Sequence, residues 1–308
     1  MRRAARLLAG AALLASLALV AAPAHAVRTC DAQALLSAAQ KDKLFRFGAV
    51  IKAELERSGA RVAIVARSGL DLSRFSIRYS HAGVSLKGSP ETPWAVRQLY
   101  FACDEGKPLI FDQGLSAFLM GTDQPGLGYV SVLLLPPEAE VELERAALDR
   151  EQALALLGAN YSANAYPFAL DYQNCNQWLA ELLAAAWGGA AHHAAAMRPA
   201  AMPRDAAQQW LRQAGYEPST VEAGWMAGLV SFIPWLTRRD HPAEDLDARR
   251  FRISMPASID AFVQQRWPQA QRLEFCHDSR RVVMRRQGAT PIAEGCVPEA
   301  GDSVTALD

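Results

Sequence analysis

Cys175 and His81 are the side chains of this sequence best suited to act on a carbonyl group. Cys175 follows Asn174 and opens a stretch in which Trp178, Leu179, Leu182, Leu183 and Ala186 recur every three or four residues. That is the spacing of a buried helical stripe, and Gly188-Gly189 reads as its end. Asp171 and Asn174, just ahead of it, are good helix-capping types. A thiol in the first turn of a helix lies beside unpaired N–H groups and the positive end of the dipole, which favours thiolate over thiol. The same N–H groups can receive an oxyanion.

Such a nucleophile needs a base, and the chain has six histidines. His81 stands in Tyr79-Ser80-His81-Ala82-Gly83-Val84-Ser85-Leu86, where strand alternation puts Ala82, Val84 and Leu86 on one face and His81, Gly83 and Ser85 on the other. Gly83 leaves room beside the imidazole into which a helix N-terminus can carry a thiol. The ordinary alternative is a histidine satisfied within the sheet. His192 and His193 are adjacent and point about 100° apart on a helix, so they do not form a one-face metal pair. His277 reads as a turn residue beside a disulfide. Asp240-His241-Pro242 is a turn-like cluster near an apolar segment, and His241 is a candidate for contact with substrate from the C-terminal half.

The elements that must position these residues follow from periodicity and turn chemistry. Leu44, Phe47, Ile51 and Leu55 mark a helix closed by Ser58-Gly59. Residues 61–66, 78–86, 94–102, 109–111 and 129–135 read as strands, the second and third joined by the wide Gly/Pro turn 87–93. Residues 138–157 read as one or two acidic helices. Beyond the Cys175 helix come an amphipathic helix over 205–214, a helix over 258–267, and a terminal hairpin from 273–276 and 281–286. Val221 to Leu236 is apolar but interrupted by Gly and Pro and too short to span a bilayer. It is either a core helix packed on the sheet or a lid or apolar substrate groove.

Three arginines (Arg2, Arg3, Arg6) precede an apolar run from Leu7 to Val20 that ends at Ala24-His25-Ala26, the pattern of a signal peptide over residues 1–26. Without it, 29 basic residues face 32 acidic ones, giving no electrostatic reason to expect a nucleic-acid partner. Export exposes five cysteines to an oxidising compartment. Cys276 and Cys296 flank the terminal hairpin, and Cys30 and Cys103 are placed to staple the N-terminal arm to a strand. That leaves Cys175 free. No paired-cysteine spacing supports a structural zinc site, and no P-loop, GxGxxG, GxSxG or HExxH motif implies a cofactor or another enzyme class. At 51% hydrophobic and 21% charged residues, the composition is that of a folded globular protein.

Ser80-His81-Ala82-Gly83-Val84 followed by Asn174-Cys175-Asn176-Gln177-Trp178 resembles the circularly permuted, NlpC-type branch of the papain-like cysteine peptidases and acyltransferases. More closely, the chain resembles an exported bacterial family called domain of unknown function 2145. The first resemblance implies an α+β fold in which an antiparallel sheet packs against a Cys-bearing helix over 27–190, leaving 191–308 as a helical and β-hairpin extension. It also implies Cys175 as nucleophile, His81 as general base and a polar residue on the next strand to orient the imidazole. One register places Gln98 there, where it can accept the imidazole N–H; a slip by one residue brings Arg97 or Leu99 instead. Tyr172 and Asn174 are candidates for the substrate or oxyanion site, Tyr172 with ordinary packing as the alternative. The expectation is a periplasmic or secreted thiol hydrolase or acyltransferase acting on a peptide, small-molecule or acyl substrate of the cell envelope. The alternative is a non-catalytic envelope module.

Overall fold

The computed structural model describes residues 36–195, 201–286 and 290–307. The expected signal segment and Cys30 lie outside these residues. In chain order the helices are α1 (Ala38–Ser58), α2 (Leu115–Leu119), α3 (Pro137–Leu148), α4 (Arg150–Ala155), α5 (Cys175–Ala195), α6 (Arg204–Gln213), α7 (Ala243–Asp247) and α8 (Pro256–Arg266). The strands are β1 (Val62–Arg67), β2 (His81–Leu86), β3 (Ala95–Ala102), β4 (Lys107–Gln113), β5 (Gly128–Leu134), β6 (Ser219–Glu222), β7 (Arg250–Ile253), β8 (Gln271–His277), β9 (Arg281–Arg286) and β10 (Ser303–Ala306). Eight strands form one sheet in the order β10-β9-β8-β5-β1-β2-β3-β4, and β6 pairs with β7 in a second. Every pairing between these strands is antiparallel.

Helices cover both faces of the large sheet. On one, Ile64, Ala66, Ala82, Val84, Leu86 and Leu99 pack with Trp178, Leu179, Leu182 and Leu183 of α5 and with α3, α6 and α8. On the other, Ala63, Val65, Val96 and Val132 pack with Leu44, Phe47, Ile51 and Leu55 of α1 and with Phe118 of α2. Strand β1 is buried along its whole length because it has a strand on each side and a helical layer above and below. Helix α1 begins at Ser37 with a capping box completed by Gln40 and stops at Gly59, whose φ of 76° suits glycine.

Three local expectations are corrected. Helix α5 does not stop at Gly188-Gly189 but runs to Ala195. A Cβ on Gly188 would lie 2.6 Å from the Trp210 ring, so this glycine admits α6 to close packing instead of ending the helix. The segment after β6 is not a core helix: residues Gly224–Phe232 form a 3-10 run, with Trp225 73% exposed. His277 is not in a turn but ends β8, buried, its ring centroid 4.7 Å from that of Phe47.

Residue 190, the expected end of the first domain, falls inside α5, and β8, β9 and β10 extend the main sheet through the β5–β8 pairing. Cys276 and Cys296 form a disulfide. Cys103 is disulfide-bonded too, and Cys175 is free. No described helix is long and apolar enough to cross a membrane.

Candidate active site

The site lies at the end of the large sheet where β1 runs out and β2 begins, Arg67 pairing with His81 across the two strands. A cavity of about 680 Å³ opens there, and Cys175, Asn176, His81, Ser80, Arg67, Tyr100 and Tyr161 share its lining. Asn176, the second residue of α5, donates its amide to the Ser80 carbonyl at 3.1 Å. That bond joins the first turn of the Cys-bearing helix to the residue preceding His81.

The β2–β3 register pairs Val84 with Arg97 and Ser85 with Val96. Continued by one step, it sets Gln98 opposite Gly83 and on the same face as His81. The Gln98 carbonyl oxygen meets Nε2 of His81, and the Gln98 amide donates to Oε1 of Gln113 at 2.6 Å. His81 Nε2 is therefore the protonated nitrogen and Nδ1 the one left to accept a proton. Gly83 serves a purpose other than the one read from the sequence. A Cβ there would meet Val96 Cγ1 at 2.7 Å, the Arg97 carbonyl at 2.8 Å and Gln98 Cβ at 3.2 Å, so the glycine makes room for the neighbouring strand and not for a helix.

Layer assignment complicates the meeting of thiol and base. The imidazole stands on the α1/α2 side of the sheet, its ring centroid 5.8 Å from Phe118 and 5.2 Å from Tyr100. Helix α5 packs on the other side. Sulfur and imidazole nonetheless line the same cavity, and among the described residues no hydrogen bond joins them. Burial pushes the Cys175 thiol up to about 11, against the opposing pull of the Asn176 and Cys175 N–H groups and of Arg67. Burial, helped by the charge of Arg67, pushes His81 down to about 3, with the Gln98 bond acting the other way. The helix-end effect favouring thiolate is thus outweighed by desolvation, and the free site rests as neutral thiol and neutral imidazole.

The other candidates sit elsewhere. Asn174 caps α5, accepting from the Gln177 N–H at 2.6 Å and donating to the Ala163 and Ser254 carbonyls. Tyr172 is outside the cavity lining; its backbone carbonyl accepts from Arg204 at 3.1 Å. His241 is buried behind the wall, bonded through Nε2 to the Asn164 carbonyl at 2.7 Å and packed edge-on to Phe251 at 4.8 Å. It supports the cavity residue Asn164 without lining the cavity itself. Burial lowers its proton affinity against the raising effect of Asp240. Among the described residues no cluster of three or more His, Cys, Asp or Glu is placed to hold a metal ion.

Sequence reasoning missed Arg67, which the structure places at the end of β1, 4% exposed, its guanidinium donating to the Gly121 carbonyl and lying 5.1 Å over the Phe118 ring. The alternation Ala63, Val65, Arg67 carried the signal, since it puts the arginine on the His81 face. Also missed was the buried cluster that holds the loop into Cys175. Arg204 pairs with the fully buried Glu181 at 3.0 Å and donates to the carbonyls of Leu170 and Tyr172. Gln173 donates to the same carboxylate at 2.6 Å.

These features define an α+β protein with a large antiparallel sheet and a buried thiol and imidazole facing one cavity. The chain belongs to the family described as "Uncharacterized protein conserved in bacteria" (DUF2145), whose model matches residues 54–263. The matched span holds Arg67, His81, Gln98, Cys175 and His241 and ends before Cys276 and His277. No curated protein and no solved structure matches the chain.

Proposed function

We propose that the protein is an exported thiol-dependent acyl hydrolase or acyltransferase with a permuted papain-like arrangement. The observation that carries this reading is the shared cavity: a free cysteine at the head of α5 and a histidine held by Gln98 line the same hollow. In the proposed reaction Nδ1 of His81 takes the thiol proton as Sγ forms a bond to the substrate carbonyl carbon. The backbone N–H groups at the start of α5 hold the oxyanion. Collapse breaks the carbon–nitrogen or carbon–oxygen bond, and the imidazolium returns the proton to the leaving group. Water or a second acceptor then releases the acyl group from sulfur. Residues 1–26 and the disulfides support a site of action in the cell envelope, where peptide amides and lipid or lipoprotein acyl groups are the available substrates.

A second reading, a binding module without turnover, draws on the neutral resting forms of Cys175 and His81 and the missing bond between them. One experiment separates the two. Incubation with an activated acyl ester is followed by intact-mass and peptide mapping. An acyl adduct on Cys175 that is slowed in His81→Ala and absent in Cys175→Ala supports the enzyme; an unmodified, unreactive Cys175 supports the module.

A further inference from the structure

Tyr161 lines the same cavity as Cys175 and packs against the core cluster that contains it. Two sets of contacts fix its place. Its ring stacks on that of Phe101 in β3, the centroids 5.1 Å apart. Its backbone forms a parallel bridge to Gln173, two positions before Cys175. The Ser162 N–H donates to the Gln173 carbonyl at 3.2 Å, and the Gln173 N–H donates to the Asn160 carbonyl at 2.9 Å. The segment that carries Tyr161 is thereby bound to the segment that leads into the head of α5.

The phenol hydroxyl is uncommitted. Those of Tyr79 and Tyr216 find side-chain partners in Glu274 and Ser254, whereas that of Tyr161 makes no hydrogen bond among the described residues. Other polar groups of the lining are engaged: the Asn176 amide with the Ser80 carbonyl, Ser80 Oγ with the Leu70 N–H, and the Asn164 side chain with the Thr237 backbone. Cys175 and Tyr100 are the residues whose charge reaches the phenol. Burial, reinforced by negative charge on either, pushes Tyr161 well above its ordinary value of 10, so it is a neutral donor at neutral pH. A neutral donor already held in the wall of the cavity needs no reorganisation when negative charge develops before it.

We infer that the Tyr161 hydroxyl is a catalytic hydrogen-bond donor, binding the carbonyl oxygen of the acyl group that Cys175 attacks, alongside the N–H groups at the start of α5. This rests on the acyl-transfer reading and adds to it a side chain that stabilises the transition state. As Sγ bonds to the carbonyl carbon, the electron pair of the carbon–oxygen double bond moves onto oxygen. The phenol donates a hydrogen bond to that oxygen and keeps its proton, and the pair returns when the leaving group departs. Tyr161 thus takes the part expected of Tyr172, which stands outside the cavity lining.

The test compares two reactions of Cys175 in the full-length Tyr161→Phe protein, which keeps the ring and its stacking on Phe101. Acylation by a p-nitrophenyl ester passes through a tetrahedral oxyanion. Alkylation by iodoacetamide displaces iodide at a saturated carbon and forms none. Acylation is expected to fall roughly 100-fold, and alkylation to stay within about twofold of the wild-type rate. Because the hydroxyl has no partner within the fold, the urea midpoint is expected to be unchanged; a large drop shows that it is bonded internally and overturns the inference. Equal losses in both reactions, or no loss in acylation, also overturn it and leave Cys175 as the nucleophile. A wild-type protein alkylated at Cys175 but never acylated removes the acyl-transfer reading and this role together.

Discussion

Gln98 stands two positions along β3 from the residue level with His81, yet its carbonyl oxygen takes the imidazole N–H, because Gly83 leaves the space between them empty of side chain. The Gln98–Gln113 bond then fixes the amide from behind. Orientation of the histidine thus depends on three consecutive strands, β2, β3 and β4, and on no charged group. This arrangement can hold a neutral imidazole in one tautomer but adds little to stabilise an imidazolium.

Gln98→Leu removes the acceptor and leaves the His81 Nε2–H buried and unpaired. Acylation of Cys175 should fall roughly tenfold to a hundredfold, with stability reduced by about 1–3 kcal/mol. Gln98→Glu places an anion there, which should raise the His81 proton affinity and move the acidic limb of the pH–rate profile upward. Rates of adduct formation across pH test both.

Gly83→Ala should be disruptive for a residue so small. The new methyl would press on the Arg97 carbonyl, which is backbone and cannot swing away, and on Gln98. A loss of about 1–3 kcal/mol is expected, measured by urea unfolding, together with weakened His81 orientation.

Acid sensitivity follows from two buried histidines. Burial holds His81 at about 3 and His277 at about 4, against an ordinary value of 6.5. Between those values and 6.5 the unfolded chain binds more protons than the folded one, so stability is full above pH 6.5 and declines as pH falls towards 4. The combined loss should be on the order of a few kcal/mol by pH 4. His277→Gln should flatten part of this slope in urea midpoints taken from pH 7 to 4; an unchanged slope would argue against a buried neutral His277.

Reduction of the Cys276–Cys296 bridge, which closes a separation of 20 residues, should cost about 3 kcal/mol. Since β8 and β9 lie in the main sheet, thermal unfolding of Cys296→Ser should shift as a single transition and not as loss of a detached tail.

Arg204→Met leaves the fully buried Glu181 without its ion-pair partner and frees the carbonyls of Leu170 and Tyr172. A cost of about 3–5 kcal/mol is expected. Faster hydrogen exchange over 169–174 would show that this pair holds the approach to Cys175.

The strands and helices that carry the site were readable from local patterns, because each has a clear period and turn residues at its ends. The hairpin register could be narrowed to Gln98 because only that choice gives His81 an acceptor. What local pattern cannot show is which layer covers each face. The sequence reading set α5 against the His81 face, but in the structure it covers the Ala82/Val84/Leu86 face, since the apolar residues of both strand faces are nearly equivalent in a sheet buried on two sides. Arg67 and the Glu181–Arg204 pair escaped for a related reason: their meaning lies in contacts distant along the chain. The apolar run after β6 was ambiguous between core and groove because burial and ligand lining use the same residue types.

The single bond from Asn176 to the carbonyl of Ser80 spans 96 positions of sequence. During synthesis the strand bearing the imidazole is made well before the helix bearing the sulfur, so that strand lacks its counterpart until roughly a third of the polypeptide has followed. The newborn chain therefore lacks the cavity that thiol and imidazole share, and its assembly waits on tertiary folding.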